Sequence, residues 1–263
     1  MDLTDTQFER YARHLILDEV GEEGQARLLA SRVLIVGAGG LGTPLLLYLA
    51  AAGVGTLGVI DDDAVELSNL QRQVIHTTER VGMPKVESAA AMLGAVNPDV
   101  RVVPIKARLT ADNAASIIAD YDLIADGSDN FATRFLLNDA CYLLRKPLAS
   151  AALLRFDAQI STYKAHLGDP HPCYRCLFPE RPPEDLIPRC EQAGILGALA
   201  GTVGCLQATE VLKELLGIGE SLSGHLLIYD ALAATFRKIK VKRDPTCALC
   251  GPQATIKDLS RAV

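Results

Sequence analysis

Two C-x-x-C pairs, Cys173/Cys176 and Cys247/Cys250, hold four of the seven cysteines. Four thiolates at tetrahedral positions close the shell of a Zn²⁺ ion and leave no open site, so the chemistry they point to is structural. An iron–sulfur centre or a redox dithiol is the other use of such pairs. Cys190 stands apart from them. Arg189 beside it and the start of an apolar helical run just after it favour the thiolate, which makes Cys190 a candidate nucleophile; an idle thiol is the plainer alternative. Cys141 and Cys205 lie within apolar runs and read as small core residues. The five histidines have no sequence partner that lifts them above surface or core roles.

A second constellation suits a nucleotide. Gly37, Gly39 and Gly42 complete G-x-G-x-x-G, directly after the apolar run Arg32–Val36 and before a helical run from Thr43 to Ala52. Glycine allows the tight turn and close backbone approach to phosphate, and the helix start offers unpaired N–H groups. Asp61 follows the next apolar run, Thr56–Ile60, where a carboxylate can accept from ribose hydroxyls. NAD and ATP both satisfy this much. Ser68-Asn69-Leu70-Gln71-Arg72-Gln73 and then Lys85 separate them. Hydride transfer builds no phosphate charge, whereas phosphoryl or nucleotidyl transfer needs cations such as Arg72 and Lys85. Asn69 can bond a phosphate oxygen or the ribose; solvated surface charge is the alternative for the two cations. Asp126-Gly127-Ser128-Asp129-Asn130 ends another apolar run, at a strand terminus that would border the crevice. A carboxylate there can hold Mg²⁺ against phosphate oxygens, Asp129 being the stronger of the two; capping the helix from Phe131 is the competing role.

The elements that must position these groups follow a βα alternation. The 263 residues at 28.1 kDa suit a single α/β domain. Apolar residues at 49% and charged residues at 22% exclude disorder and fibrous repeats, and no internal repeat is visible. With a net charge of −6, an aromatic share of 5% and no Trp, neither nucleic acid nor membrane is an expected partner. The N-terminus has no cationic segment ahead of an apolar core, and paired cysteines suit a reducing compartment, so a cytoplasmic location is expected. The uncharged runs Val33–Ile60 and Gln192–Thr209 carry glycines and polar residues and read as buried elements rather than membrane spans.

Leu3–Ala30 predicts two helices, Lys85–Val96 a helix opened by Pro84, Val100–Ile105 a strand, Ala111–Ala119 a helix and Asp122–Ala125 a strand. Phe131–Leu144 predicts a helix and Pro147–Ser150 a short strand. Leu153–Tyr163 predicts the point where a mainly parallel, Rossmann-like sheet flanked by helices turns antiparallel. Glu180–Pro188 predicts a mobile loop, Ala193–Leu216 a helix or helix pair, Leu226–Tyr229 and Thr235–Val241 late strands, and everything after Gly251 a tail.

Arg10-Tyr11-Ala12-Arg13, Gly37-Ala38-Gly39-Gly40-Leu41-Gly42, the Asp61 cluster, Ser68–Gln73, Pro84-Lys85, Gly127–Asn130 and the C-x-x-C pairs occur in one order. In this the chain resembles the MoeB/ThiF family, relatives of the ubiquitin-activating enzymes, over roughly residues 7 to 251. The resemblance implies a single adenylation domain. Its parts would be N-terminal helices (1–30), a nucleotide-binding half (31–150), an antiparallel, zinc- and carrier-binding half (151–251) and a tail (252–263). It implies adenylation of the C-terminal Gly-Gly carboxylate of a ubiquitin-like sulfur carrier, using Mg-ATP and releasing pyrophosphate. It implies a homodimer in which Arg13 reaches the partner's nucleotide. Gly40 and Asp61 would bind nucleotide, Ser68 to Arg72 and Lys85 would surround ribose and phosphates, Asp129 with Asn130 beside it would serve the Mg-assisted chemistry, and Cys190 would match a cysteine that some members link to the carrier.

Val65-Glu66-Leu67 and Val86-Glu87-Ser88-Ala89 look most MoeB-like, which favours a molybdopterin carrier; Gly197-Ala198 is closer to ThiF-like chains and makes a thiamine carrier second, while Ala158 stands before Gln159 where the family usually has Gly. With no rhodanese-like segment after Gly251, a separate sulfur-donor protein is expected. Two other classes compete: an NAD-dependent oxidoreductase, which leaves Arg72, Lys85 and the cysteine pairs without a role, and a non-catalytic docking subunit, in which Arg13, Arg72, Lys85 and Asp129 would be free to disappear.

Overall fold

The computed structural model describes residues 3–182 and 194–261. The chain runs through α1 (Asp5–Leu15), α2 (Gly21–Ala30), β1 (Arg32–Val36), α3 (Gly42–Ala51), β2 (Thr56–Ile60), α4 (Lys85–Val96) and β3 (Arg101–Ile105). Then come α5 (Ala111–Ile118), β4 (Leu123–Asp126), α6 (Phe131–Leu143), β5 (Leu148–Leu154), β6 (Asp157–Tyr163), α7 (Tyr174–Leu177), α8 (Gly197–Leu216), β7 (His225–Asp230) and β8 (Thr235–Lys240). The strands form one sheet in the order β3-β2-β1-β4-β5-β6-β7-β8. Pairings from β3 through β5 are parallel and those from β5 to β8 antiparallel.

Alternation of side chains explains why β1 is apolar from Val33 onward, after the exposed Arg32. Val33 and Ile35 enter one core with α3, α4 and α8, while Leu34 and Val36 enter a second core with α5 and α6. A strand covered on both faces has no polar side to show. Each fully buried aliphatic side chain contributes about 1.5–3 kcal/mol relative to exposure. Chain order reverses across the sheet between β1 and β4, so a crevice opens beyond their carboxyl ends.

Several expectations need correction. The short strand predicted at Pro147–Ser150 runs from Leu148 to Leu154; the sheet does turn antiparallel within Leu153–Tyr163 as predicted, through the end of β5, a turn, and β6 from Asp157. The turn is invisible in composition because Arg155 itself adopts a left-handed φ of 56°, without glycine or proline. Of the two alternatives for Ala193–Leu216, the described residues 194–216 show the single helix, from Gly197 onward. The described part of the segment after Gly251 packs back on the fold. Thr255 and Ile256 donate their N–H groups to the Ala248 carbonyl, and Leu259 packs against the α5–α6 core. The predicted loop Glu180–Pro188 lies largely outside the described residues. The run Val33–Ile60 divides into β1, a glycine turn, α3 and β2, and among the described residues no helix is long and apolar enough to cross a membrane.

A buried ion pair ties the antiparallel half to α6. Asp139, fully buried, accepts from Arg175 Nε and Nη2 at 2.7 Å each, and Asn138 Oδ1 accepts from Tyr174 N at 2.7 Å. Asp139→Ala leaves a nearly buried guanidinium without its partner. We expect a loss of about 3–5 kcal/mol, read as a fall in Tm of about 10 °C; an unchanged Tm would show the pair to be expendable.

Candidate active site

A cleft of about 470 Å³ opens beyond the ends of β1, β2 and β4. Its floor is the glycine turn. Gly37 has φ +96°, and a Cβ there would lie 2.9 Å from the Gly127 carbonyl oxygen, so the turn rests directly on the loop after β4. Gly39 and Gly40 line the cleft, and their N–H groups have no acceptor among the described residues. A Cβ on Gly40 would meet Ala200 of α8 at 3.3 Å and the Arg72 side chain at 3.6 Å. Gly42, expected at the nucleotide, does not line the cleft. A side chain on it would overlap the Gly37 carbonyl, so it is the glycine that lets α3 close onto β1.

Asp61 stands at the cleft beyond β2 as the sequence predicts. Its Oδ2 accepts from Ala38 N at 2.8 Å and its Oδ1 from Asp63 N at 2.9 Å. Burial raises its pKa, and the charge of Lys85 and these two N–H donors oppose the rise. Each carboxylate oxygen keeps acceptor capacity for a ribose hydroxyl.

The cations sit on the neighbouring wall. Asn69 is buried in the turn that places Arg72. Its Oδ1 accepts from Glu66 N at 3.1 Å and its carbonyl from Arg72 N and Gln73 N at 3.0 Å. Arg72 donates from Nη1 to the Ser68 carbonyl at 3.0 Å, which aims the guanidinium along the cleft. Lys85 opens α4, and its Nζ donates to Asp63 Oδ2 at 2.6 Å. The lysine side chain is 8% exposed and its aspartate partner 65% exposed. Ser68, Leu70 and Gln71 do not line the cleft. Ser68 Oγ donates to Glu66, and the Gln71 carbonyl packs where α8 begins at Gly197. Their motif is continuous in sequence, but a tight turn sends Ser68, Leu70 and Gln71 away from the cleft and leaves Asn69, Arg72 and Gln73 on it.

The opposite wall resolves the two carboxylates. Asp126 is fully buried; its Oδ1 accepts from Ser128 N and Oγ, and its Oδ2 from Ser150 Oγ at 2.9 Å, so it is a post under the loop. Asn130 caps α6, accepting from Thr133 N at 2.9 Å. Capping is therefore done, and Asp129 is left as an exposed carboxylate in the cleft, its one hydrogen bond among the described residues a 3.4 Å contact from Asn130 Nδ2. A hard oxygen donor in that setting fits Mg²⁺. Sequence reasoning missed Arg134, which lines this wall and donates from Nη2 to the Ser128 carbonyl at 3.0 Å. It also missed His76, buried beneath the glycine turn against Ala38 and Ser88. The His76 contacts join segments far apart in sequence, and Arg134 turns back only six residues to Ser128, a local bond that no motif marks.

Arg13 is exposed on α1 and does not line its own cleft. Tyr11 accepts from Asn97 Nδ2 at 2.9 Å, and Arg10 bonds the Val96 carbonyl, which fixes α1 at the C-terminal end of α4 and beside Gly53 after α3. The glycine turn is at the other end of α3, about 15 Å away for ten residues of helix. Cys190 lies outside the described residues. Cys141 is buried as expected, its thiol pKa pushed up by burial, while Cys205 is only partly buried.

The four paired cysteines converge far from the cleft lining. Their Sγ atoms all lie within 4.8 Å of one another, with separations of 3.5 Å (Cys173–Cys247), 3.8 Å (Cys173–Cys176) and 3.4 Å (Cys176–Cys250). A ZnS₄ tetrahedron with bonds of about 2.3 Å has edges of about 3.8 Å, so the donor set fits zinc in a closed structural site.

Known proteins match this arrangement over nearly the whole chain. The SAMP-activating enzyme E1 of Haloferax volcanii is 53% identical over 251 residues, covering 95% of this chain and 92% of that protein. The sulfur carrier protein adenylyltransferase of Thermus thermophilus is 52% identical over 261 residues, covering 98% and 96%. The adenylyltransferase and sulfurtransferase MOCS3 of Sus scrofa is 50% identical, but this chain spans only 56% of it. Among solved structures, E. coli MccB with ATP superposes with a TM-score of 0.77 at 19% identity, over 95% of this chain and 82% of that one. At that identity the likeness is one of fold. Residues 11–249 match the ThiF family, and the chain belongs to it.

Proposed function

We propose that the chain is an adenylyltransferase that transfers AMP from Mg-ATP to the C-terminal Gly-Gly carboxylate of a ubiquitin-like sulfur carrier, and that the carrier is MoaD-like, in molybdenum cofactor biosynthesis. The observation that carries the chemistry is the convergence on one cleft of Arg72, Lys85, Asp129 and the Gly39 and Gly40 N–H groups, which have no acceptor among the described residues. A carboxylate oxygen of the carrier forms its bond to the α-phosphorus as the bond to the bridging oxygen breaks, and pyrophosphate leaves with the electron pair. Two anions must meet for this to occur. Arg72 and Lys85 cancel their repulsion and the charge that spreads over the phosphate oxygens, and Asp61 fixes the ribose. Mg²⁺, when bound, adds Lewis-acid polarisation, with Asp129 as its protein ligand.

Relatives of nearly the same length bear the names of a sulfur-carrier adenylyltransferase and a SAMP-activating enzyme, which supports a protein carrier as acceptor. The MoeB-like stretches Val65–Leu67 and Val86–Ala89 favour the molybdopterin branch; Gly197-Ala198 at the start of α8 favours the thiamine branch as the second reading. The position of Arg13 at the far end of α3 supports a homodimer in which each α1 serves the other subunit's cleft. ATP–pyrophosphate exchange with purified carriers tests the reading. Exchange should require a MoaD-like protein ending in Gly-Gly and vanish when that tail is truncated. Exchange with a ThiS-like carrier alone would move the chain to the thiamine branch, and NADH binding without ATP binding would end the adenylation reading.

A further inference from the structure

His76 is buried at 6% exposure, between the glycine turn and α4. Its Nε2 lies 3.0 Å from the Ala38 carbonyl oxygen and its Nδ1 2.9 Å from Ser88 Oγ. A carbonyl only accepts, so the hydrogen must be on Nε2, and Nδ1 must accept from the Ser88 hydroxyl. Burial, with Lys85 and Arg80 nearby, lowers the histidine pKa and keeps the ring in this neutral form at neutral pH.

Ala38 is thereby held at both ends of its backbone: its N–H by Asp61 Oδ2 and its carbonyl by His76. In a trans peptide the carbonyl and the following N–H point in opposite directions. Pulling the Ala38 carbonyl down toward His76 therefore turns the Gly39 N–H up into the cleft, where it has no acceptor among the described residues. Ser88 lies on α4 one turn beyond Lys85, so the same imidazole sets the height of the glycine turn against the helix that carries the cleft lysine. We infer that His76 is a positioning residue for phosphate recognition, acting through the Ala38–Gly39 peptide with Ser88 fixing its tautomer. The inference rests on the ATP-dependent reading above and adds to it a residue that touches no substrate.

The test is calorimetric titration of full-length protein with Mg-ATP and, separately, with adenosine, which shares the ribose and base but has no phosphate. His76→Leu and His76→Asn, which cannot reach the carbonyl, should weaken ATP about 10–100-fold and leave adenosine within about twofold, as fits one lost donor to a charged group. His76→Gln, whose amide can place an N–H near the Nε2 position, should restore ATP affinity to within about threefold of wild type. Ser88→Ala should give a smaller loss on ATP alone, with Tm recorded for every variant. Equal weakening of ATP and adenosine, or His76→Gln behaving like His76→Leu, would reduce His76 to a packing role and overturn the inference. Wild-type protein that binds neither ligand would overturn the adenylation reading along with it, so the two failures are distinct.

Discussion

Asp129→Ala should reduce carrier-dependent ATP–pyrophosphate exchange about a thousandfold, a loss of about 4 kcal/mol in transition-state stabilisation, while leaving Tm unchanged. Both halves follow from the division of labour at the start of α6. Asn130 makes the cap and Asp126 makes the buried contacts beneath the loop, so Asp129 has no structural duty whose loss would disturb the fold. Its carboxylate lies exposed in the cleft, held among the described residues only by the long bond from Asn130. Exchange within tenfold of wild type would remove it from the chemistry. The same variant probes the dimer. Mixed with Arg13→Ala subunits, it should recover about a quarter of wild-type exchange, since half of randomly formed dimers would hold one intact composite cleft. No recovery in verified mixed dimers would place Arg13 outside the site.

Cys247→Ser should abolish stoichiometric zinc and lower Tm by more than about 10 °C, because a structural metal contributes folding free energy directly. The cluster joins the turn after β8 to α7. Arg243 adds to the joint by donating to the carbonyls of Ala165 and Cys250. From α7 the Arg175–Asp139 pair passes to α6, whose first turn borders the cleft. Strong chelation of wild-type protein should reproduce the loss. A variant that keeps its Tm and a wild type that carries no zinc would together remove the metal from the fold.

How much of this was legible depended on whether the deciding contact was local. β1, β2 and α4 begin and end where the apolar runs and Pro84 predict, because burial on two faces and proline geometry act within a few residues. The change to antiparallel pairing within Leu153–Tyr163 was legible, but the exact position of the β5–β6 turn was not, because Arg155 occupies the left-handed region without a residue type that signals it. The end of the chain was read as a tail because its few apolar residues, Ile256 and Leu259, reveal their partners only in the fold. In the cleft, Gly37, Gly39, Gly40, Asp61, Asn69, Arg72, Lys85, Asp129 and Asn130 converge as expected. Gly42, Ser68, Leu70 and Gln71 share their motifs but face elsewhere, since a motif records a turn and not the direction of each member. His76 acts across a long stretch of chain and Arg134 only back to Ser128, and nothing beside either in sequence distinguishes it from an ordinary core or surface residue.

The pairing of Lys85 with Asp63 makes the resting pocket self-neutralised. An incoming anion can claim the ammonium only by evicting a carboxylate already within bonding distance. A small ion such as free phosphate gains one contact from that exchange and forfeits the one it breaks. On the ATP reading, a polyphosphate that simultaneously engaged the Gly39 and Gly40 amides and Arg72 would gain several, so the pocket would select by denticity against abundant simple anions before any chemistry began.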